Sequence, residues 1–192
     1  MNSQKDHFPS DERTLVTSAQ GGDRAALREI YDRHRDSVHR VIFYWLNEPL
    51  LVEDMLQTVF LKIYRALPRF RFEAALSTWI YRIALNECLN HNQRRRMDQV
   101  PLDAILGGGE ELDSTESIDD QHARREVSRI LQQAVMDLPP RLRAVVVLKY
   151  VEGLSYDEIA RVLECAPGTV ASRLSRALSR MEEQLRPLKN LL

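Results

Sequence analysis

The chain has 192 residues, 44% apolar and 29% charged, with 27 basic against 28 acidic side chains and a net charge of −1. That length buries one medium core or two small ones. The charge balance excludes a uniformly basic nucleic-acid binder but leaves a segregated one open. The longest aliphatic run, Ala144 to Leu148, falls far short of the roughly 18 residues that span a bilayer. Residues 1–20 carry charges throughout and lack the apolar middle of a signal peptide, so a cytoplasmic protein is expected. The two cysteines, Cys88 and Cys165, are too few for a disulfide framework and lack zinc-site spacing. No metal and no cofactor is expected.

Charge is segregated along the chain. Residues 1–97 hold 15 basic and 12 acidic side chains, residues 98–123 none basic and eight acidic, and residues 124–192 hold 12 basic and eight acidic. The acidic stretch also contains Gly107 to Gly109. Low hydrophobicity, like charge and glycine predict a flexible linker, because a loop of that length inside one compact domain is uncommon. The expected organisation is all-α: a tail over 1–23, a helical domain over 24–97, an acidic linker over 98–123 and a second helical domain over 124–192. An acidic connector can also compete with nucleic acid for the basic blocks on either side.

In chain order, Asp23 is placed to cap a helix over about 24–46. A second helix over 50–67 carries Val52, Leu56, Val59, Phe60, Ile63 and Leu67 on one apolar stripe. Its opposite face holds Asp54, Gln57, Leu61 and Arg65, so Leu61 stands among polar residues. A single exposed leucine is ordinary, yet beside Asp54 and Gln57 it is a candidate centre of a protein-binding face. Pro68 ends the helix.

Arg69-Phe70-Arg71-Phe72-Glu73 follows, aromatics alternating with arginines in a loop. One reading tucks both phenylalanines into the core. The other uses them to stack unpaired bases while the arginines meet phosphates, as single-stranded nucleic acid requires. A third helix, from Ser77 to about Arg95, has Leu76, Ile80, Ile83 and Ala84 inward. A second stripe of Trp79, Arg82, Asn86, Asn90 and Gln93 offers an aromatic, a cation and amides suited to base edges and phosphates. A solvated polar face is the alternative.

The second block begins with a helix over about 124–137, stopped by Pro139 and Pro140, and another over 141–151, broken at Gly153. Ser155 with Glu158 forms a capping box. Glu164-Cys165-Ala166 makes a short turn, and Pro167 starts the last helix. Val170, Leu174, Ala177, Leu178, Met181 and Leu185 are its expected inner stripe. Thr169, Ser172, Arg173, Ser175, Arg176, Ser179 and Arg180 form a basic, serine-rich outer face. Two short helices joined by a tight turn are the geometry of a helix-turn-helix that enters a major groove.

These segments together resemble the extracytoplasmic-function group of bacterial RNA polymerase sigma factors. Val52 to Lys62 resembles the polymerase-binding helix of that family. Ser77 to Ala84 with Asn86 resembles its segment that melts and reads the −10 promoter element. Leu138 to Ala160, then Gly168-Thr169-Val170 with Ser172, Arg173 and Leu174, resembles its −35-reading domain. A weaker resemblance is to regulators of heavy-metal resistance within the group.

The resemblance implies roles. Asp54, Gln57 and Leu61 fall where the family docks on core polymerase. Arg69, Phe70, Arg71 and Phe72 fall on the loop that captures a base flipped from the −10 strand, with Trp79, Arg82, Asn86 and Asn90 nearby. Ser172, Ser175 and Arg176 are expected toward −35 bases, and Thr169, Arg173 and Arg180 toward phosphates; for Arg173, pairing inside the domain is equally open. The implied partners are core RNA polymerase, promoter DNA and an anti-sigma factor, often membrane-anchored. No small-molecule substrate and no catalysis by the chain itself are implied.

Two departures from the family pattern bear on affinity. Ala166 replaces the usual side-chain cap before the recognition helix, and Ala171, Leu178 and Ser179 stand where relatives often carry basic residues. Three rivals stay open on the residues. A free-standing helix-turn-helix regulator leaves Asp54, Gln57, Leu61 and the Arg69–Glu73 loop unexplained. A metal protein or enzyme has only Cys88 and His91 one turn apart, with His34 and His39 in the same block. A pure adaptor would need neither Asn86 nor Arg176.

Overall fold

A computed structural model describes residues 10–46, 49–98 and 118–186. Among these residues the chain is helical, with no strands. Helix α1 spans Ser10–Gln20, α2 Arg24–Phe43, α3 Pro49–Ala66 and α4 Leu76–Asp98, with a 3-10 turn at Leu67–Arg69. The second unit comprises α5 (Ile118–Met136), α6 (Pro140–Val146), a π turn at Val147–Val151, α7 (Tyr156–Val162) and α8 (Pro167–Leu185).

Local chemistry sets the boundaries. Asp23 Oδ1 accepts from the Ala25 and Ala26 backbone N–H groups at 2.8 and 3.4 Å, capping α2. The α3 stripe predicted from spacing is buried throughout: Val52, Leu56, Val59, Phe60, Ile63 and Leu67 are each at most 2% exposed. α3 stops at Ala66, as Pro68 predicts, and Pro68 itself sits in the 3-10 turn that follows. In the second unit, Arg143 is buried and donates to the carbonyls of Met136 and Leu138, satisfying the C-terminal end of α5. The Ser155–Glu158 capping box is fully formed. The turn into α8 places Glu164 at φ +51°.

Three expectations need correction. The stretch before residue 24 is not simply a tail, because Ser10–Gln20 is a helix that buries Val16 and Ala19. The second unit begins at Ile118, six residues earlier than expected; the rest of the expected linker, residues 99–117, lies outside the described residues. Leu178 is 42% exposed instead of lining the inner stripe of α8, whose core contacts come from Val170, Leu174 and Ala177.

The two helical units pack against one another through a continuous apolar core. Polar groups cross the same boundary. Glu152, its side chain 2% exposed, accepts from Arg40 Nε and Nη2 at 2.9 and 3.0 Å and from the Tyr81 hydroxyl at 2.8 Å. The Arg143 guanidinium lies 5.3 Å above the Trp45 ring. Arg82 reaches from α4 to the α7–α8 turn: Nη1 meets Glu164 Oε1 at 2.9 Å, and Nη2 donates to the Arg161 carbonyl at 2.6 Å.

Candidate functional site

The first surface is on α3. Asp54, Gln57 and Leu61 are all exposed, Leu61 by 53%. At i, i+3 and i+7 they share one face of the helix. Leu50, 84% exposed, lies four residues before Asp54 and extends that face. The sequence reading missed it, because a helix-start leucine beside Pro49 gives no periodic signal. An exposed stripe with two leucines and a carboxylate suits docking against another protein better than contact with DNA phosphates.

The second surface is the loop between the 3-10 turn and α4. Both arginines, Arg69 and Arg71, are exposed. Phe70 takes the inward alternative: it is 8% exposed and packs on Trp79 and Phe72 with ring centroids 5.1 Å away in each case. Phe72 is half-buried at φ +57°. That left-handed conformation is uncommon for a bulky residue and holds only where the surroundings fix it.

Those surroundings come from α1. Gln20 Nε2 donates to the carbonyls of Leu67 and Phe70 at 3.0 and 2.9 Å. The Arg13 guanidinium lies 4.9 Å from the Phe72 ring centroid. The Glu12 carboxyl lies beside the Leu76 backbone N–H at the start of α4, whose partial positive charge draws its pKa down. Burial still holds the Glu12 pKa above the usual carboxylate value, against the opposing pull of that donor. The sequence reading found none of these three residues. Its only available signal was the spacing of Leu15, Val16 and Ala19 within a charged stretch.

Along α4, Asn86 and Asn90 are exposed while Trp79 and Arg82 are half-buried. Tyr81, Leu85 and Cys88 are buried as well, on a side of α4 that faces the second unit. Burial pushes the Cys88 thiol up to about 12, with the neighbouring Glu87 charge the next cause. The described residues contain no group of three or more His, Cys, Asp and Glu side chains able to hold a metal.

The third surface is the outer face of α8. Ser172, Ser175, Arg176 and Arg180 are exposed, and Thr169 is half-buried. Ser172 Oγ donates to the Thr169 carbonyl at 3.0 Å, and Arg176 Nε to the Ser172 carbonyl at 3.2 Å. Arg173 turns inward, its Nη1 3.8 Å from Cys165 Sγ. It joins Arg82, Asn86, Arg141 and Glu164 around a cavity of about 320 Å³ between the units. Part of the α4 polar stripe and one α8 cation are thus brought together, while Asn90 on α4 and Ser172, Ser175, Arg176 and Arg180 on α8 stay exposed.

The chain matches the sigma-70 region 2 family over residues 30–97 and the sigma-70 region 4 family over residues 128–181. It is 34% identical to the RNA polymerase sigma-H factor of Pseudomonas aeruginosa over 183 residues, covering 92% of this chain and 95% of that one. It is 33% identical, at the same coverage, to the ECF RNA polymerase sigma-E factor of Escherichia coli. Among solved structures it shares its fold with CnrH in complex with the cytosolic domain of CnrY (TM-score 0.70, 23% identity, covering 93% of this chain and 99% of that one). It also shares it with the sigma factor RpoE of Bartonella quintana in complex with the anti-sigma factor NepR (TM-score 0.65, 22% identity, covering 83% and 96%). The chain belongs to the sigma-70 family of bacterial RNA polymerase sigma factors, in its extracytoplasmic-function group.

Proposed function

We propose that the chain binds core RNA polymerase through Asp54, Gln57 and Leu61 and directs initiation at promoters with paired −10 and −35 elements. Residues 24–98 act as region 2 and those from Ile118 onward as region 4, joined by the residues between. Arg69, Arg71 and Phe72 meet the unpaired −10 strand, supported from beneath by Phe70. Trp79, Arg82, Asn86 and Asn90 continue that path along α4. In the duplex upstream, Ser172, Ser175 and Arg176 face bases from α8, and Thr169 and Arg180 meet phosphates, while Arg173, turned toward Cys165, takes the alternative of pairing inside the domain. Strand opening follows from binding single strands better than duplex, and the polymerase alone forms phosphodiester bonds.

The observation that carries this reading is one helical unit holding both an exposed Asp54–Gln57–Leu61 stripe and an arginine-bearing loop over an aromatic cluster. Capture of the −10 strand requires Arg82 to exchange Glu164 for a phosphate, so the two units separate when the protein joins polymerase. In the cytoplasm an anti-sigma factor holds the protein inactive by covering its polymerase-binding faces, as the complexes of CnrH and RpoE suggest by analogy of fold. A place among the heavy-metal-resistance regulators of the group is supported by the weaker sequence resemblance alone.

Adding the purified protein to sigma-free core polymerase on fragmented genomic DNA tests the central claim. A small set of transcript 5′ ends sharing two spaced upstream elements is expected. Random initiation, with the protein failing to co-migrate with core, overturns it in favour of a free-standing DNA-binding regulator.

A further inference from the structure

We infer that α1, which lies outside the region 2 match, is the template that shapes the −10 capture loop, and that Gln20 is its central positioning residue. The inference rests on assigning the Arg69–Glu73 loop to the −10 strand. Three contacts from one helix frame the loop. At its entrance, Gln20 uses both amide hydrogens on the Leu67 and Phe70 carbonyls. These carbonyls belong to the 3-10 turn and the residue after it, where the backbone leaves regular helix: the Leu67 carbonyl already accepts the Phe70 N–H at 3.0 Å, so Gln20 adds a second donor there and also holds the Phe70 carbonyl. In the middle, Arg13 covers Phe72. At the exit, the Glu12 carboxyl lies beside the first backbone N–H of α4.

Sequence separation makes this arrangement a tertiary device: Gln20 lies 47 and 50 residues from its two acceptors. Phe72 at φ +57° is the consequence. A loop free to relax would leave the left-handed region, and the Phe72 ring and the two exposed arginines would no longer hold fixed positions for a base and its phosphates. Selective capture of one base needs that fixity, because each ordered side chain is a cost already met before the strand arrives. Gln20 touches no DNA in this scheme. It acts through the loop, and its loss weakens base discrimination rather than charge attraction.

The test uses holoenzyme reconstituted from core polymerase and the full chain, with a single-stranded oligonucleotide carrying the mapped −10 element and versions substituted at each base. The readout is the affinity ratio between the mapped and substituted oligonucleotides, which a loss of overall stability does not selectively alter. Gln20→Leu keeps the side-chain bulk and removes both donors. The ratio at one base position is expected to fall about ten-fold while core binding is unchanged, and Phe72→Ala is expected to lose discrimination at the same position. If Gln20→Leu keeps the full ratio while Phe72→Ala loses it, the templating role of α1 is overturned and the loop assignment stands. If Phe72→Ala also keeps it, the loop assignment fails and the inference with it. Should Gln20→Leu fail to bind core, Arg13→Ala, at an exposed position, carries the same measurement, with a fall in the ratio at that position supporting the inference and an unchanged ratio overturning it.

Discussion

Arg82 and Glu164 meet at 2.9 Å across the boundary between the two helical units, with the Arg161 carbonyl on the same guanidinium at 2.6 Å. One partner belongs to the stripe assigned to the −10 strand, and the other to the turn that precedes the recognition helix. The contact therefore ties together the two surfaces proposed to meet promoter DNA.

Glu164 is 69% exposed and Arg82 34%, so the pair contributes little to stability, about 0–1 kcal/mol. Its effect falls on access. Glu164→Ala is expected to raise the affinity of the polymerase-free protein for −10 single strands several-fold and to leave the melting temperature within a degree or two. Fluorescence anisotropy at low and high salt checks this. The gain over wild type should shrink as salt screens the wild-type pair; an equal, weak affinity for both proteins at low salt would show that Glu164 does not restrain Arg82.

Tyr81 and Glu152 form the buried counterpart of that contact. Burial, and next the hydrogen bond to Glu152, push the Tyr81 phenol from 10 up to about 12. The fold favours the neutral phenol, so its contribution is complete below pH 10 and is lost as pH rises through 12. It amounts to something on the order of 2 kcal/mol. Denaturation curves should show wild type losing more stability between pH 10 and 12 than Tyr81→Phe, which lacks the titrating group. Glu152→Ala should cost stability at neutral pH too, since it leaves Arg40 and the Tyr81 hydroxyl without their shared acceptor.

The two thiols should separate cleanly. Cys88 is fully buried with its pKa raised to about 12, whereas Cys165 is half-buried in the α7–α8 turn. An aromatic disulfide reagent at pH 8 is expected to titrate one thiol within minutes and the second only in denaturant. Cys165→Ser should abolish the fast phase. Two fast thiols would mean that α4 opens readily away from the second unit.

Ala166 precedes α8 with no side-chain hydrogen bond to the first turn. A serine there can accept from the backbone N–H of Thr169 or Gly168, which stabilises a helix by about 1 kcal/mol. Ala166→Ser is expected to raise the thermal midpoint by roughly 2–4 °C, read by circular dichroism. No change would mean that the existing Thr169 N–H bond to the Ala166 carbonyl, at 2.8 Å, already satisfies the turn.

Where one face of one helix meets one core, the sequence was a sufficient guide. The α3 stripe and the Asp23 and Ser155 caps depend on residues within a few positions of each other, and spacing reports them directly. It was insufficient where a second body supplies the cover. On α4, Tyr81, Leu85 and Cys88 lie outside the stripe of Leu76, Ile80 and Ala84, yet are buried because the second unit closes over them. The candidate loop divides in the same way. Its exposed arginines were legible from their alternation with aromatics, but that Phe70 turns inward is decided by Trp79, and the bracing by Gln20 by contacts some 50 residues distant.

Leu61 gives the most direct test of the polymerase-binding face. It is 53% exposed on α3, so truncation to alanine removes little buried area, and the fold should keep its stability within about 0.5 kcal/mol. At the centre of a protein interface, enclosed by Asp54 and Gln57, the same truncation typically costs 2 kcal/mol or more, a weakening of core polymerase binding by roughly thirty-fold. Leu50→Ala, at the edge of the same stripe, should weaken binding by less, about three-fold, because rim contacts stay near solvent. Titration of labelled protein with core polymerase measures both. The ordering matters more than either value: Leu50→Ala outweighing Leu61→Ala would move the centre of the docking face toward the start of α3, and full affinity in both variants would remove α3 from the interface.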